Sequence, residues 1–189
     1  MRADASPPGR RSLWLAFAWG LAEATCFFIV PDVLTSRLVL QRTRTGLAAC
    51  FCALAGALIG GASLYFLGRE PATQTSLLAA MDHLPGINAE LIDRARTGLG
   101  QGLTALFAGV LAGIPYKLYA TQAAGLGIGA GAFLTASIAA RLARFLLVTG
   151  LAWFVGVKLL PNLGTGIKLR IHAGAWILFY LAYFWRMGV

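Results

Sequence analysis

Apolar and polar positions divide the chain into long hydrophobic blocks with short punctuation. Residues 1–11 are polar, with Pro7, Pro8 and three arginines, and read as a short tail. Residues 12–30 are apolar apart from Ser12, Glu23 and Thr25; Val30-Pro31-Asp32 then leads into a short run ending at Leu40, closed by Arg37, Arg42 and Arg44. Proline disrupts a helix interior, so 12–44 is expected to turn back as a re-entrant region rather than cross once. Residues 46–68 carry no charge over 23 positions, and about 20 apolar residues suffice to span a bilayer. Gly56 and Gly60 form a GxxxG pair suited to close packing, inside the molecule or across a homodimer.

Residues 69–100 form a polar, aqueous connection. Its periodicity predicts short helices near 75–84 and 88–97, with Asn88 as N-cap and Gly98 as stop. Residues 101–131 are apolar but broken by Gly113-Ile114-Pro115, with Lys117 directly after. Two half-length helices meeting at Pro115 are expected, and Gly109/Gly113 makes a second GxxxG pair. A second span at 132–157, a basic loop at 158–170 and a final aromatic span at 171–188 complete the chain. The halves match: each has a proline-broken apolar region (Pro31, Pro115), a nearby charge (Asp32, Lys117) and a long span. Paired interrupted segments are a mark of transporter binding sites. The expected fold is therefore an all-α polytopic membrane protein with an inverted repeat. Two re-entrant helical hairpins are each followed by a transmembrane helix, and a C-terminal transmembrane helix is added; Pro31, Gly113 and Pro115 are its hinges.

Composition agrees with a membrane class. Of 189 residues, 58% are hydrophobic and 12% charged, against roughly 45–50% and 25% in soluble domains. The tail at 1–11 and a single integral membrane domain over 12–189 are expected. Formal net charge is +9, but the basic residues sit between apolar runs, which favours topology and lipid contacts over nucleic acid. With the N-terminus cytoplasmic and 12–44 folded back, Arg2, Arg10, Arg11, Arg37, Arg42, Arg44, Lys158, Lys168 and Arg170 all lie inside, while 69–100, with three basic and four acidic residues, lies outside. That is the asymmetry of the positive-inside rule. Arg10-Arg11 before an apolar run resembles a twin-arginine signal, but Glu23 and the lack of a small-residue cleavage site favour a retained segment. Cys26, Cys50 and Cys52 lie in apolar stretches and read as small filler. His83 and His172 lack ligand spacing, and His172 reads as an interfacial residue. No metal, cofactor or Ser/His/Asp set is expected, and the chain is not expected to be an enzyme.

Five charges stand where insertion is costly: Glu23, Asp32, Lys117, Arg141 and Arg144. A charge at the centre of a membrane helix costs roughly 2.5–3.5 kcal/mol on insertion scales. Arg141 and Arg144 are three apart and share a helix face. One reading is structural: the charges pair and hold two hairpins together. The other is a headgroup site, with Arg141, Arg144 and Lys117 on the phosphate and Glu23 and Asp32 balancing charge and carrying a coupling proton. Three positive against two negative leaves one positive charge over, and arginine binds phosphate in bidentate fashion.

The same residues carry a family resemblance. Glu23 with Pro31-Asp32, the glycine-rich stretch from Gly61 to Arg69, the broken hairpin FAGVLAGIPYKLYATQAAG at 107–125, and Gly131-Ala132-Phe133 resemble the DedA superfamily, whose members carry a VTT (SNARE-associated) domain. The resemblance covers roughly 20–157. The commoner hairpin has two arginines around its proline; here Leu111 and Lys117 stand at those positions, which is closer to the small YqaA-like branch. The resemblance implies a bacterial cytoplasmic membrane protein that translocates an anionic lipid phosphate, such as undecaprenyl phosphate or a phospholipid, with proton dependence. The rival expectations are a non-transporting scaffold for envelope homeostasis, a proton-coupled small-solute transporter and, last, a membrane enzyme.

Overall fold

The computed structural model describes residues 9–187, and every regular element in it is helical. Helices α1 (Arg10–Thr25) and α2 (Asp32–Gln41) are separated by a non-helical stretch, and α3 (Thr43–Leu67) follows directly. Pro31 occupies the N-cap position of α2, where its missing N–H costs nothing. The polar stretch folds into α4 (Pro71–Asp82) and α5 (Ala89–Gln101). Asn88 caps α5 by accepting from the Leu91 N–H at 2.9 Å. Leu91, Ala95 and Leu99 form its buried stripe, while Glu90 and Arg94 pair on its exposed face.

Helices α6 (Ala105–Ala112) and α7 (Tyr116–Ala123) meet at a break between them. Gly113 ends α6 at φ +73°, a left-handed conformation that favours glycine, and Pro115 precedes α7. Helix α8 (Ala130–Trp153) widens into a π-helical stretch, Phe154–Leu159, and α9 (Thr165–Met187) closes the chain. Among the described residues, two helices are long and apolar enough to cross a membrane: Thr43–Leu67 and Ala130–Leu159. The order helix, break, helix, long helix thus occurs twice, as α1–α2–α3 and α6–α7–α8.

Several expected boundaries move. Gly98 does not stop α5, which runs to Gln101 and ends at Gly102 with φ +133°; an isolated glycine inside a helix costs only about 1 kcal/mol. The basic stretch 158–170 is mostly helical: Lys158 lies in the π-helical stretch, and Lys168 and Arg170 lie in α9. Lysine and arginine are good helix formers, so a run of charge did not mean a loop. Arg10 and Arg11 already belong to α1, and the rest of the expected tail, residues 1–8, lies outside the described residues, as does residue 188.

Glycines set how closely the helices approach. A Cβ on Gly20 would collide with the Ala53 carbonyl, and one on Gly56 with the Phe17 carbonyl. Gly60 faces Leu21, Ala24 and Thr25. The Gly56/Gly60 pair therefore packs α3 on α1 within one molecule. Gly109 makes room for the Tyr119 ring of α7 in the same way. Farther along, Thr149 Oγ1 donates to Thr35 Oγ1 at 2.9 Å, and Cys50 Sγ lies 3.3 Å from Thr149 Oγ1, tying α8, α2 and α3 together.

Candidate functional site

The two breaks bring the five charges together. Arg141, on α8, donates through Nη2 to Glu23 Oε2 near the end of α1. Both residues are buried. One turn farther, Arg144 Nη2 stands 3.1 Å from Asp32 Oδ2, at the first residue of α2. Lys117, at the start of α7, donates to the Phe27 carbonyl at 2.7 Å. That carbonyl lies in the break between α1 and α2, outside any helical ladder, so the second hairpin supplies a donor to the first. An unpaired carbonyl there would cost about 1–3 kcal/mol.

The two ion pairs are not equivalent. Arg141 is clamped: its guanidinium lies 4.4 Å from the Tyr116 ring centre and 5.3 Å from that of Phe145. Tyr116 stacks on Phe133, and Phe133 on Tyr65. Gly61 leaves the room that the Tyr116 ring fills. Arg144 is partly open, with 18% of its side chain exposed. Although it is close to Asp32, its Nη2 points off the hydrogen-bonding direction. Its Nε and Nη2, and Asp32 Oδ1, have no hydrogen-bond partner among the described residues. Arg141 thus has its anion and leaves only Nε without a partner among the described residues, while Arg144 leaves both Nε and Nη2.

Glu23, Asp32, Lys117 and Arg144 line a cavity of about 820 Å³ whose walls are otherwise mostly apolar. Leu147, Val148 and Leu151 of α8 and Val155 of the π-helical stretch form one side, and α9 forms another. The cavity follows α9 from Lys168 to Tyr183, a length of roughly 22 Å at 1.5 Å per residue. Tyr180 Oη accepts from the Val30 N–H at 2.8 Å, which sets α9 beside the charge cluster. Arg141 lines a separate small cavity behind the pairs, with Tyr116, Ser137 and Arg144. Of the expected headgroup ligands, Lys117 and Arg144 therefore face the large cavity and Arg141 does not. Of the expected hinges, Pro115 and Gly113 line it, whereas Pro31 is fully buried beside Asp32.

Sequence reasoning missed a polar group on the same cavity. Ser36 Oγ lies 2.7 Å from His172 Nε2, and the Trp176 indole N–H lies 3.2 Å from Ser36 Oγ and 3.1 Å from His172 Nε2. Ser36 Oγ also bonds the Asp32 carbonyl. The Trp176 indole N–H donates to this pair, and His172 Nδ1 has no hydrogen-bond partner among the described residues. His172, expected at a membrane interface, is half-buried and hydrogen-bonded to α2. The available signal was spacing, since Ser36 is one turn beyond Asp32 and Trp176 one turn beyond His172. Their convergence over 136 residues was not visible.

The chain is similar to a protein of Haemophilus influenzae described only as an uncharacterized protein, with 27% identity over 171 residues, covering 90% of this chain and 86% of that one. No family profile matches the chain, and no solved structure matches it.

Proposed function

We propose that this protein is a multi-pass protein of the bacterial cytoplasmic membrane that translocates an anionic lipid phosphate, as its resemblance to the DedA superfamily implies. One observation carries the reading: a cluster of three basic and two acidic side chains adjoins a long, mostly apolar cavity, with Lys117 and the incompletely bonded Arg144 on its wall. A phosphate bearing a hydrocarbon tail matches both surfaces. Large apolar side chains point outward from α1, α3, α8 and α9, including Trp14, Phe51, Leu147 and Leu178. Soluble monomers rarely expose so much contiguous apolar surface, and a bilayer would cover it. In this reading the two broken hairpins enter from opposite sides, the N-terminus is cytoplasmic, and their tips meet at the charge cluster. Irregular backbone at membrane depth is tolerated where it is buried in protein or lines a cavity.

Within that reading the residues divide their roles. Arg144 and Lys117 hold the phosphate. Arg141 and Glu23 hold the hairpins in register. Asp32, with one carboxylate oxygen unpaired, is the better proton carrier of the two acids. The test is lipid movement in reconstituted vesicles, using a fluorescent phosphatidate and a matched neutral diacylglycerol. Wild-type protein should move the phosphatidate selectively, and the Arg144→Gln/Asp32→Asn variant, which leaves no stranded carboxylate, should not. Equal movement by wild type and variant would sink the assignment.

A second reading is favoured by the burial of the Arg141–Glu23 pair: a scaffold in which the charges only hold two hairpins together. It expects no protein-dependent lipid movement and loss of monodispersity when either residue is changed.

A further inference from the structure

Helices α2, α8 and α9 run side by side along one half of the large cavity, and their contacts fix a common register. Val30 meets Tyr180, Ser36 meets His172 and Trp176, and Leu40 fills the space left by Gly156. Helix α9 is therefore antiparallel to α2, and α8 is parallel to it, with Asp32 level with Arg144. One turn from Asp32 toward Leu40 lies the Ser36–His172–Trp176 group. One turn farther along α9 lies Lys168, which also lines the cavity. These steps put Lys168 roughly 12 Å from the Arg144 level at 1.5 Å per residue.

The slot between these levels is two-faced. One wall is Leu147 and Leu151 of α8 with Val155 of the π-helical stretch, Leu147 being 68% exposed on the outside of the molecule. Its α2–α9 wall is polar. Lys168 is half-buried, and its ammonium has no hydrogen-bond or ion-pair partner among the described residues. His172 lines the same wall, and its Nδ1 has no hydrogen-bond partner among the described residues. No carboxylate lines this half of the cavity beyond Asp32. An unpaired ammonium and an unpartnered imidazole nitrogen on one wall, opposite leucines, match an anionic oxygen group attached to a hydrocarbon.

We infer that Lys168, His172 and Trp176 form a second phosphate station, one to two helical turns from the Arg144–Lys117 site. It takes a phosphate monoester whose hydrocarbon lies along the α8 leucines. The inference rests on the lipid-phosphate reading and adds a route to it: a headgroup held at Lys168 reaches Arg144 past Ser36 and His172 without leaving polar contacts.

The test follows the indole N–H signal of Trp176 by NMR, assigned with Trp176→Phe, in detergent-solubilised full-length protein titrated with dihexanoyl phosphatidate and, separately, inorganic phosphate. Phosphorus NMR reports total binding of each probe. The phosphatidate should shift the Trp176 signal in wild type and in the Arg144→Gln/Asp32→Asn variant, which removes only the inner site. Lys168→Gln should move the midpoint of that shift about tenfold, the size of one charge-assisted hydrogen bond, and Lys168→Arg should restore it. A shift with inorganic phosphate as well supports a station that reads the phosphate alone; a shift with phosphatidate only supports one that also needs the chain. Phosphatidate that binds wild type while Trp176 stays unshifted, with binding lost in the Arg144→Gln/Asp32→Asn variant, would overturn the second station and leave the proposed function standing. No binding of phosphatidate to wild type would overturn both.

Discussion

Arg141 and Glu23 lie 118 residues apart in sequence and form a buried ion pair, with the Arg141 guanidinium also set against the Tyr116 ring. The pair joins α8 to α1, and Tyr116 brings in α7, so one guanidinium ties both broken hairpins to a long helix. A buried pair of this kind is weak evidence for net stabilisation, because desolvation offsets its Coulomb gain. Removing one partner is another matter, since the other is then stranded.

Arg141→Gln and Glu23→Gln should therefore each destabilise the protein by about 3–5 kcal/mol, and the double variant by much less than their sum. Unfolding of the three variants in one detergent measures the coupling. Additive losses would mean that the two side chains do not depend on each other.

Gly56→Ala should be destabilising by about 1–3 kcal/mol, because the new methyl meets the Phe17 carbonyl and forces α1 away. Gly174→Ala is the contrast: nothing lies within 4 Å of a Cβ there, and alanine is the better helix former by about 1 kcal/mol, so it should be neutral or stabilising. Thermal unfolding of both variants reads the difference in sign.

Tyr180→Phe removes the oxygen that accepts the Val30 N–H. A loss of about 1 kcal/mol is expected, with faster amide exchange at Val30 and along the α9 face of the cavity. Unchanged exchange at Val30 would show that this bond does not hold α9 in place.

Asn88→Ala should cost about 1 kcal/mol through loss of the α5 cap, and Asn88→Ser should recover most of it. Exchange at the Leu91 amide reports the cap directly.

Much of the helical layout was legible along the chain. The uncharged run 46–68 supplies most of α3, the Gly113–Pro115 break separates α6 from α7, and Asn88 caps α5. These features follow from local chemistry: a long apolar run favours helix, a proline removes a donor, and an asparagine side chain satisfies an end N–H. Boundaries set by weak local preferences were less legible, as at Gly98 and Lys168, where packing and helix propensity outweighed the apparent breaks.

The sequence by itself determined which residues would be costly to bury: Glu23, Asp32, Lys117, Arg141 and Arg144 stand out because an apolar neighbourhood offers a charge no water. Only the tertiary structure decided their partners. It gave Arg141 to Glu23, left Arg144 with spare donors beside Asp32, and turned Lys117 to a loop carbonyl. It also set Ser36 against His172 across 136 residues. Pairings of this kind depend on which helix faces meet and at what register, and at this site that is governed by small-residue contacts, such as Gly61 with Tyr116 and Gly156 with Leu40, on different helices. Hydrophobic periodicity along one helix carries no information about them.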